Sequence, residues 1–174
     1  MVMPGAVTAS ETPRGQGRLS GIIEQLQQEL DYVKDNQEIR NLLNDLNLPV
    51  DASDAARYRA NYAPGGIFEL VQDRNGKPTT LSKINTDQME DFLNSRFEVF
   101  KKRGEQRRHL QTSIHIVEQD TDQAKATITG MLLTTVKHRE IKLVSPLFYV
   151  VDLVKANGAW KFKHVTGYLD TSLD

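Results

Sequence analysis

Four side chains in this 174-residue chain change charge near neutral pH, namely His109, His115, His138 and His164. His109 is the best placed of them for chemistry, because a run rich in β-branched and aromatic residues, 107–119, begins just before it. Alternate residues of a strand face the same side, so His109, Gln111 and Ser113 would share one polar face. Such a face lines either bulk solvent or a hydrated cavity, and the pattern leaves both open.

The other three histidines have weaker claims to function. His138 lies in a polar interruption of a strand-like run and is predicted to be a solvated hairpin residue. His115 alternates with two isoleucines, which favours an exposed or hydrogen-bonded position without a catalytic role. His164 would share a strand face with Trp160 and Phe162, which predicts a more buried position.

Asp51 and Asp54 could serve either structure or catalysis. Both stand near the start of a predicted helix, where carboxylates cap free backbone N–H groups and lie at the positive end of the helix dipole. Alternatively, Asp51 accepts a hydrogen bond from one ring nitrogen of His109, which would raise the basicity of the other nitrogen. That pair would be a general base suited to elimination or isomerisation next to a carbonyl.

Composition excludes several other kinds of chemistry. The chain has no cysteine, which excludes disulfides, thiolate metal sites and thiol nucleophiles. The spacing of the histidines and acidic residues predicts no metal site, and no glycine-rich nucleotide loop or serine-hydrolase elbow occurs. A net charge of -1 provides no field that would attract nucleic acid or an anionic membrane surface. A small molecule is therefore the expected partner.

Apolar residues at three- and four-residue steps predict the helices that must position these side chains. One such run covers 22–46 and ends before Pro49, since proline disfavours helical geometry in the residue preceding it. A short helix is predicted over 51–62. A third covers 86–103 and ends at Gly104.

The strands follow in two groups. Two short strands are predicted on either side of an Asn75-Gly76 hairpin turn. Four long ones are predicted over 107–119, 124–143, 147–155 and 160–169. This order indicates an α+β fold in which helices cover the concave side of a curved, mainly antiparallel sheet and leave a pocket. Apolar candidates for its lining, which would equally form an ordinary core, are Phe68, Leu70, Phe97, Leu132, Phe148 and Val150.

The first 21 residues are rich in proline, glycine, serine and threonine and are predicted to be a flexible tail or a vector-derived leader. They lack the basic start and long apolar run of a signal peptide or a membrane span. Residues 22–174 are expected to form a single domain of a cytoplasmic protein.

Several short motifs follow one another along the chain, and their order and spacing together are characteristic of one protein family. They are Ile39, Leu42 and Leu43 near the end of the first helix, Asp51 and Asp54, Arg108 and His109, and Gly158, Trp160 and Phe162 in the last strand. This pattern resembles the SnoaL-like branch of the nuclear transport factor 2-like superfamily. The resemblance implies a cone-shaped fold around a deep pocket, without a cofactor, in homodimers or homotrimers.

The resemblance also implies roles for particular residues. Members similar to scytalone dehydratase, hexachlorocyclohexane dehydrochlorinase and bile-acid 7α-dehydratase use an Asp/His dyad, which maps onto Asp51 and His109. Three positions depart from the family pattern: Leu46 stands where such enzymes carry Tyr or Lys, Ser113 where many carry Asn, and His164 where Arg is common.

The candidate hydrogen-bond donors to a substrate, in place of the Tyr or Lys that Leu46 replaces, are Ser113, His164, Tyr58 and Tyr62. Tyr58 and Tyr62 lie on the predicted second helix and could supply a phenol, although helix packing is the commoner role of such aromatics. Together with the general base that the residues predict, the resemblance implies a cofactor-independent lyase or isomerase, dehydratase- or cyclase-like, acting on a small apolar cyclic substrate. The alternative is a non-catalytic ligand-binding or oligomerisation module resembling the β subunits of ring-hydroxylating dioxygenases. Leu46 favours this alternative, because it stands where the enzymes carry Tyr or Lys.

Overall fold

The computed structural model describes residues 13–74, 77–137 and 139–170. The chain forms two compact units, Met1–Asp35 and Asn36–Asp174. Helix α1 (Pro13–Asn44) begins earlier than predicted, so that residues 13–21 are helical instead of belonging to a tail. Proline is tolerated in the first turn of a helix, and single glycines lower helix stability without ending it. The rest of the predicted tail lies outside the described residues.

Three further helices follow: α2 (Leu48–Asp51), α3 (Ala55–Ala60) and α4 (Met89–Arg103). Pro49 follows the end of α1, as predicted, and also lies in the first turn of α2. Its missing N–H does not weaken α2 there, because the first N–H groups of a helix have no partner within the helix. Asp54 caps α3, because its Oδ1 accepts a hydrogen bond of 3.0 Å from the backbone N–H of Arg57. Gly104 ends α4 with a left-handed φ of 66°.

Six strands form one sheet: β1 (Tyr62–Arg74), β2 (Lys77–Asn85), β3 (Glu105–Gln119), β4 (Gln123–Val136), β5 (Glu140–Ala156) and β6 (Ala159–Leu169). Their order is β2-β1-β6-β5-β4-β3, with β1 and β6 parallel and every other pair antiparallel. This curved, mainly antiparallel sheet confirms the predicted α+β class. The Asn75-Gly76 turn lies outside the described residues.

The strand predicted over 124–143 covers parts of two observed strands, β4 and β5. The run 124–143 is interrupted after Val136, where Lys137 takes a positive φ of 49°, and β5 begins at Glu140. The predicted hairpin residue His138 lies outside the described residues.

A β-bulge in β3 changes which residues share a face. Gln111 pairs with Gly130 and Ser113 pairs with Thr129, so Thr112 is an extra residue in the ladder. One extra residue reverses the alternation beyond it. Ser113 is therefore exposed and does not share a face with His109, which corrects the prediction.

A second bulge has the same effect in β6. Asp152 pairs with His164 and Leu153 with Phe162, which leaves Lys163 as the extra residue. Phe162 is fully buried, whereas His164 lies on the other face of the sheet. The prediction that His164 shares a face with Trp160 and Phe162 is wrong for this reason.

Candidate active site

The structure brings Asp51 and His109 into direct contact. The Nδ1 atom of His109 lies 2.6 Å from Oδ1 of Asp51, and the backbone N–H of His109 donates to Oδ2 at 2.8 Å. The two side chains are only 11% and 9% exposed. Since Nδ1 bonds to the carboxylate, Nε2 is the ring nitrogen left to act as a base.

The neighbours of Asp51 hold it in this position. Its backbone N–H donates to the carbonyl of Asn47 at 3.0 Å, which closes the turn of α2. Its own carbonyl accepts hydrogen bonds from Gln106 Nε2 at 3.0 Å and from a guanidinium nitrogen of Arg108 at 3.1 Å. Residues of β3 therefore fix both the carboxylate and the backbone of Asp51. Asp54, not Asp51, acts as the helix cap.

His109 lines a cavity of about 350 Å³ whose wall is mostly apolar. The residue before α2 that lines it is Asn47. The lining residues from the helices are Val50, Tyr58, Met89, Phe92, Leu93, Arg96, Phe97 and Phe100, and those from the sheet are Phe68, Leu70, Leu81, Ser82, Ile84, Arg107, His109, Leu132, Leu147, Tyr149 and Leu169. Four of the predicted apolar candidates are among them. On β5, however, Leu147 and Tyr149 line the cavity in place of the predicted Phe148 and Val150, because the opposite set of alternate residues faces inward.

Two polar groups that the sequence did not single out also line the cavity. The hydroxyl of Tyr149 donates to Oδ1 of Asn47 over a long 3.5 Å, and within the described residues Nδ2 of Asn47 has no hydrogen-bond partner. Burial raises the pKa of Tyr149 above its ordinary value, so its phenol keeps its proton and can donate it in a hydrogen bond.

The predicted phenol donors form a pair. The hydroxyls of Tyr58 and Tyr62 lie 2.7 Å apart and both rings are buried. Burial raises the pKa of both tyrosines. Tyr58 lines the cavity and Tyr62 lies behind it, outside the described lining.

The structure places three predicted site residues away from the described cavity lining. Leu46 is 1% exposed and packs in the core. Ser113 is exposed beyond the β3 bulge. His164 Nε2 lies 3.3 Å from Oε2 of Glu69, whose carboxylate also accepts a hydrogen bond of 2.8 Å from Thr80. The Thr80 hydrogen bond is the main reason why the pKa of Glu69 is lowered.

Arg107 is a further residue that sequence reasoning missed. It lies two residues before His109 on the same face of β3 and lines the cavity. The same alternation that grouped His109 with Gln111 would have included it.

Within the described residues, no group of three or more histidine, aspartate or glutamate side chains could hold a metal ion. None of the described helices is both long and apolar enough to cross a membrane.

Comparisons with known proteins agree with this fold. A model of the SnoaL-like domain matches residues 31–166, and a search of curated protein sequences finds no significant match. Three solved structures from Novosphingobium aromaticivorans have similar folds. An NTF2-like protein with a cystatin-like fold has a TM-score of 0.66 at 13% identity, over 83% of this chain and 87% of that one. A candidate β subunit of an aromatic-ring-hydroxylating dioxygenase has a TM-score of 0.63 at 18% identity, over 78% of this chain and 89% of its own.

The third structure is a candidate scytalone dehydratase, with a TM-score of 0.61 at 17% identity over 81% of this chain and 87% of its own. Identities this low show a common fold and leave activity open. Because the family model spans most of the chain, the chain belongs to the SnoaL-like domain family.

Proposed function

We propose that the protein is a cofactor-independent lyase or isomerase, dehydratase- or cyclase-like, with His109 as its general base. The observation that carries this proposal is the 2.6 Å contact between His109 Nδ1 and Asp51 at the wall of an apolar cavity. A base of this kind needs an oriented imidazole, a free second nitrogen and room for a substrate.

The proposed reaction begins with proton transfer from carbon to Nε2 of His109. The proton comes from a carbon next to a carbonyl, where the electron pair left behind is delocalised onto the carbonyl oxygen. Asp51 stabilises the imidazolium that forms, because its carboxylate is already bonded to Nδ1. The imidazolium then returns the proton to another carbon in an isomerisation, or to a departing hydroxyl in a dehydration. Such general base catalysis contributes about 10² to 10⁴ in rate.

Tyr149 is the proposed donor to the developing oxyanion. It lines the cavity that contains His109, and its hydrogen bond to Asn47 is long, at 3.5 Å, so its single proton can turn to a substrate oxygen. A donor that is already in place and shielded from water stabilises an oxyanion more than water does. Tyr149 would replace the Tyr or Lys whose position is held by Leu46.

The cavity favours a small cyclic substrate. Its volume of about 350 Å³ and its aromatic and aliphatic wall suit a cyclic ketone or a compact terpenoid, steroid or polyketide fragment.

Deuterium exchange tests the proposal directly. A panel of hydrophobic cyclic ketones and hydroxy-ketones is incubated with the protein in heavy water, and incorporation at the α carbon and elimination of water are followed by NMR. We expect catalysed exchange or elimination in the parent protein and its loss in His109→Ala. His115→Ala, an exposed histidine of the same strand, is the matched control and should keep the activity. Equal rates in His109→Ala and the parent would remove the proposed base.

The second candidate function is a non-catalytic ligand-binding or oligomerisation module. The burial of Leu46 in the core favours it, because this position then contributes packing and no polarising group to the cavity. This alternative predicts ligand binding without any turnover that depends on His109. Assembly as a homodimer or homotrimer and a cytoplasmic location stay predictions under either function.

A further inference from the structure

We propose that the cavity takes a ligand with a carboxylate group, and that Arg107 binds this carboxylate. This inference rests on the proposed function, because it takes the cavity to be the substrate site. It adds one charged group to the otherwise apolar substrate proposed above.

Arg107 is a largely buried cation with few partners. Its side chain is 16% exposed, and its guanidinium carbon lies 3.9 Å from the centre of the Phe100 ring. Its Nε is buried and has no hydrogen-bond partner in the described part of the chain. The nearest acid, Glu105, lies 4.0 Å away, at the limit of an ion pair, and also lies 3.7 Å from Arg103. Nε is sealed from the cavity, so the terminal nitrogens of the guanidinium are the groups that a ligand's carboxylate would contact. A largely desolvated guanidinium is costly unless acceptors satisfy these nitrogens.

A second cation lies near the same ring. Arg96 lines the cavity, and its guanidinium carbon is 5.7 Å from the centre of the Phe100 ring. The positive charge of Arg96 adds to that of Arg107. The carboxylate of Asp51 does not pair with either arginine, because it is already bonded to His109. Burial, the largest cause, lowers the pKa of Arg107, which reflects the same shortage of partners. An anion bound at Arg107 would relieve both the desolvation and the repulsion.

The position of Arg107 defines the substrate more closely. Arg107 and His109 are two residues apart on one strand face, so their Cα atoms are separated by roughly 7 Å. A carboxylate paired in bidentate fashion with Arg107 would therefore leave a reacting carbon a few bonds away near His109. The expected substrate class is a cyclic apolar acid that carries its carboxylate away from the reacting carbonyl.

Binding of two matched probes tests this inference without any turnover. The probes are 2-naphthoate and its neutral counterpart 2-naphthamide, and their affinities are measured by isothermal titration calorimetry. We expect the parent protein to bind the carboxylate at least about tenfold more tightly than the amide, as a charge-assisted pair would give. Arg107→Gln should remove this preference and Arg107→Lys should keep part of it. Arg103→Gln, which removes the exposed arginine near Glu105, should leave it unchanged.

The outcomes separate this inference from the proposed function. Equal affinities for the two probes in the parent protein, or a preference that survives in Arg107→Gln, would overturn the carboxylate site. Loss of exchange activity in His109→Ala tests the base and does not affect the probe preference. If Arg107→Gln does not fold, Arg107→Lys decides the question, because a preference equal to the parent's in that variant would overturn the assignment to Arg107.

An independent observation concerns the helix N-terminal to Asn36. We infer that this part of α1 pairs with the same segment of a second copy as a parallel coiled coil. Apolar side chains recur there at alternating steps of four and three residues, and each of them is exposed: Leu19, Ile23, Leu26, Leu30 and Val33. This spacing matches the seam of a two-stranded coiled coil, with Ile23 and Leu30 at one of the two seam positions and Leu19, Leu26 and Val33 at the other.

Charge complementarity supports a parallel arrangement of two copies. In this register Glu29 and Lys34 flank the seam on opposite sides, five residues apart. This is the spacing at which such residues pair between the two helices of a parallel dimer. In the antiparallel arrangement Glu29 would not face Lys34 of the other copy.

Sedimentation equilibrium of the full chain tests this interface. We expect a dimer at micromolar concentrations, dissociated by Leu26→Lys and unaffected by Gln28→Lys on the outer side of the helix. Glu29→Lys should weaken the dimer, and Glu29→Lys with Lys34→Glu should restore it. A monomeric parent protein, a Leu26→Lys variant with the parent's mass, or a double variant no tighter than Glu29→Lys would each refute the parallel coiled coil.

Discussion

Asp51 contacts both the ring and the backbone of His109: its Oδ1 lies 2.6 Å from the ring nitrogen Nδ1, and its Oδ2 accepts a hydrogen bond from the backbone N–H at 2.8 Å. One carboxylate therefore orients the imidazole and also attaches β3 to the end of α2. The same contact has a catalytic and a structural consequence, and a substitution at Asp51 should affect both.

We expect Asp51→Asn to lower both turnover and stability. An amide has one acceptor oxygen where the carboxylate has two, so one N–H of His109 loses its partner and the imidazolium loses its counter-charge. Exchange activity should fall at least about 100-fold, and the free energy of unfolding by about 1 to 3 kcal/mol. Initial rates and urea denaturation measure the two effects. Asp54→Asn is the control, because asparagine caps a helix as well as aspartate does; unchanged turnover in Asp51→Asn would contradict the assignment.

Tyr149→Phe should separate chemistry from folding. The hydroxyl of Tyr149 makes only a 3.5 Å contact with Asn47, so its loss should change the free energy of unfolding by less than about 1 kcal/mol. If the phenol stabilises an oxyanion, the exchange rate should fall by about 100-fold. Tyr168→Phe, outside the described cavity lining, is the matched control. The oxyanion role would be wrong if both variants exchanged at the parent's rate.

The buried tyrosines should make the protein sensitive to alkali. Burial raises the pKa of Tyr58, Tyr62 and Tyr149 above the ordinary value of 10.0. Above that pH the unfolded chain releases these protons while the folded chain keeps them, so the free energy of unfolding falls as pH rises. Urea denaturation at about pH 9 and about pH 11 should show this decline. The decline should be smaller in Tyr149→Phe, and parallel declines in variant and parent would argue against the shift at Tyr149.

Gly130 should be intolerant of any side chain. It pairs with Gln111 beside the β3 bulge, and a Cβ atom there would overlap the carbonyl oxygen of Leu110. We expect Gly130→Ala to destabilise the fold by about 1 to 3 kcal/mol and to reduce exchange activity, because β3 also carries His109. Gly21→Ala, which meets no atom within 4 Å on α1, should instead stabilise by about 0.5 to 1 kcal/mol. Gly130→Ala with the parent's urea midpoint would show that the strands adjust without strain.

The sequence alone predicted the features that depend on local chemistry. Helix α4 and its end at Gly104 follow from apolar periodicity and from a residue that tolerates a left-handed φ. The positions of β3 and β6 follow from β-branched and aromatic runs. The pairing of Asp51 with His109 was one of two open interpretations, since a carboxylate near a helix start serves equally well as a cap.

The tertiary structure decided which side chains reach the cavity. The extra residues Thr112 and Lys163 reverse the alternation within β3 and β6, and so place Ser113 and His164 away from the site. The choice of Tyr149 over Val150 depends on which side of β5 the helices cover. A bulge and the orientation of a strand are set by pairing between residues far apart in the chain, so periodicity along a single strand cannot show them.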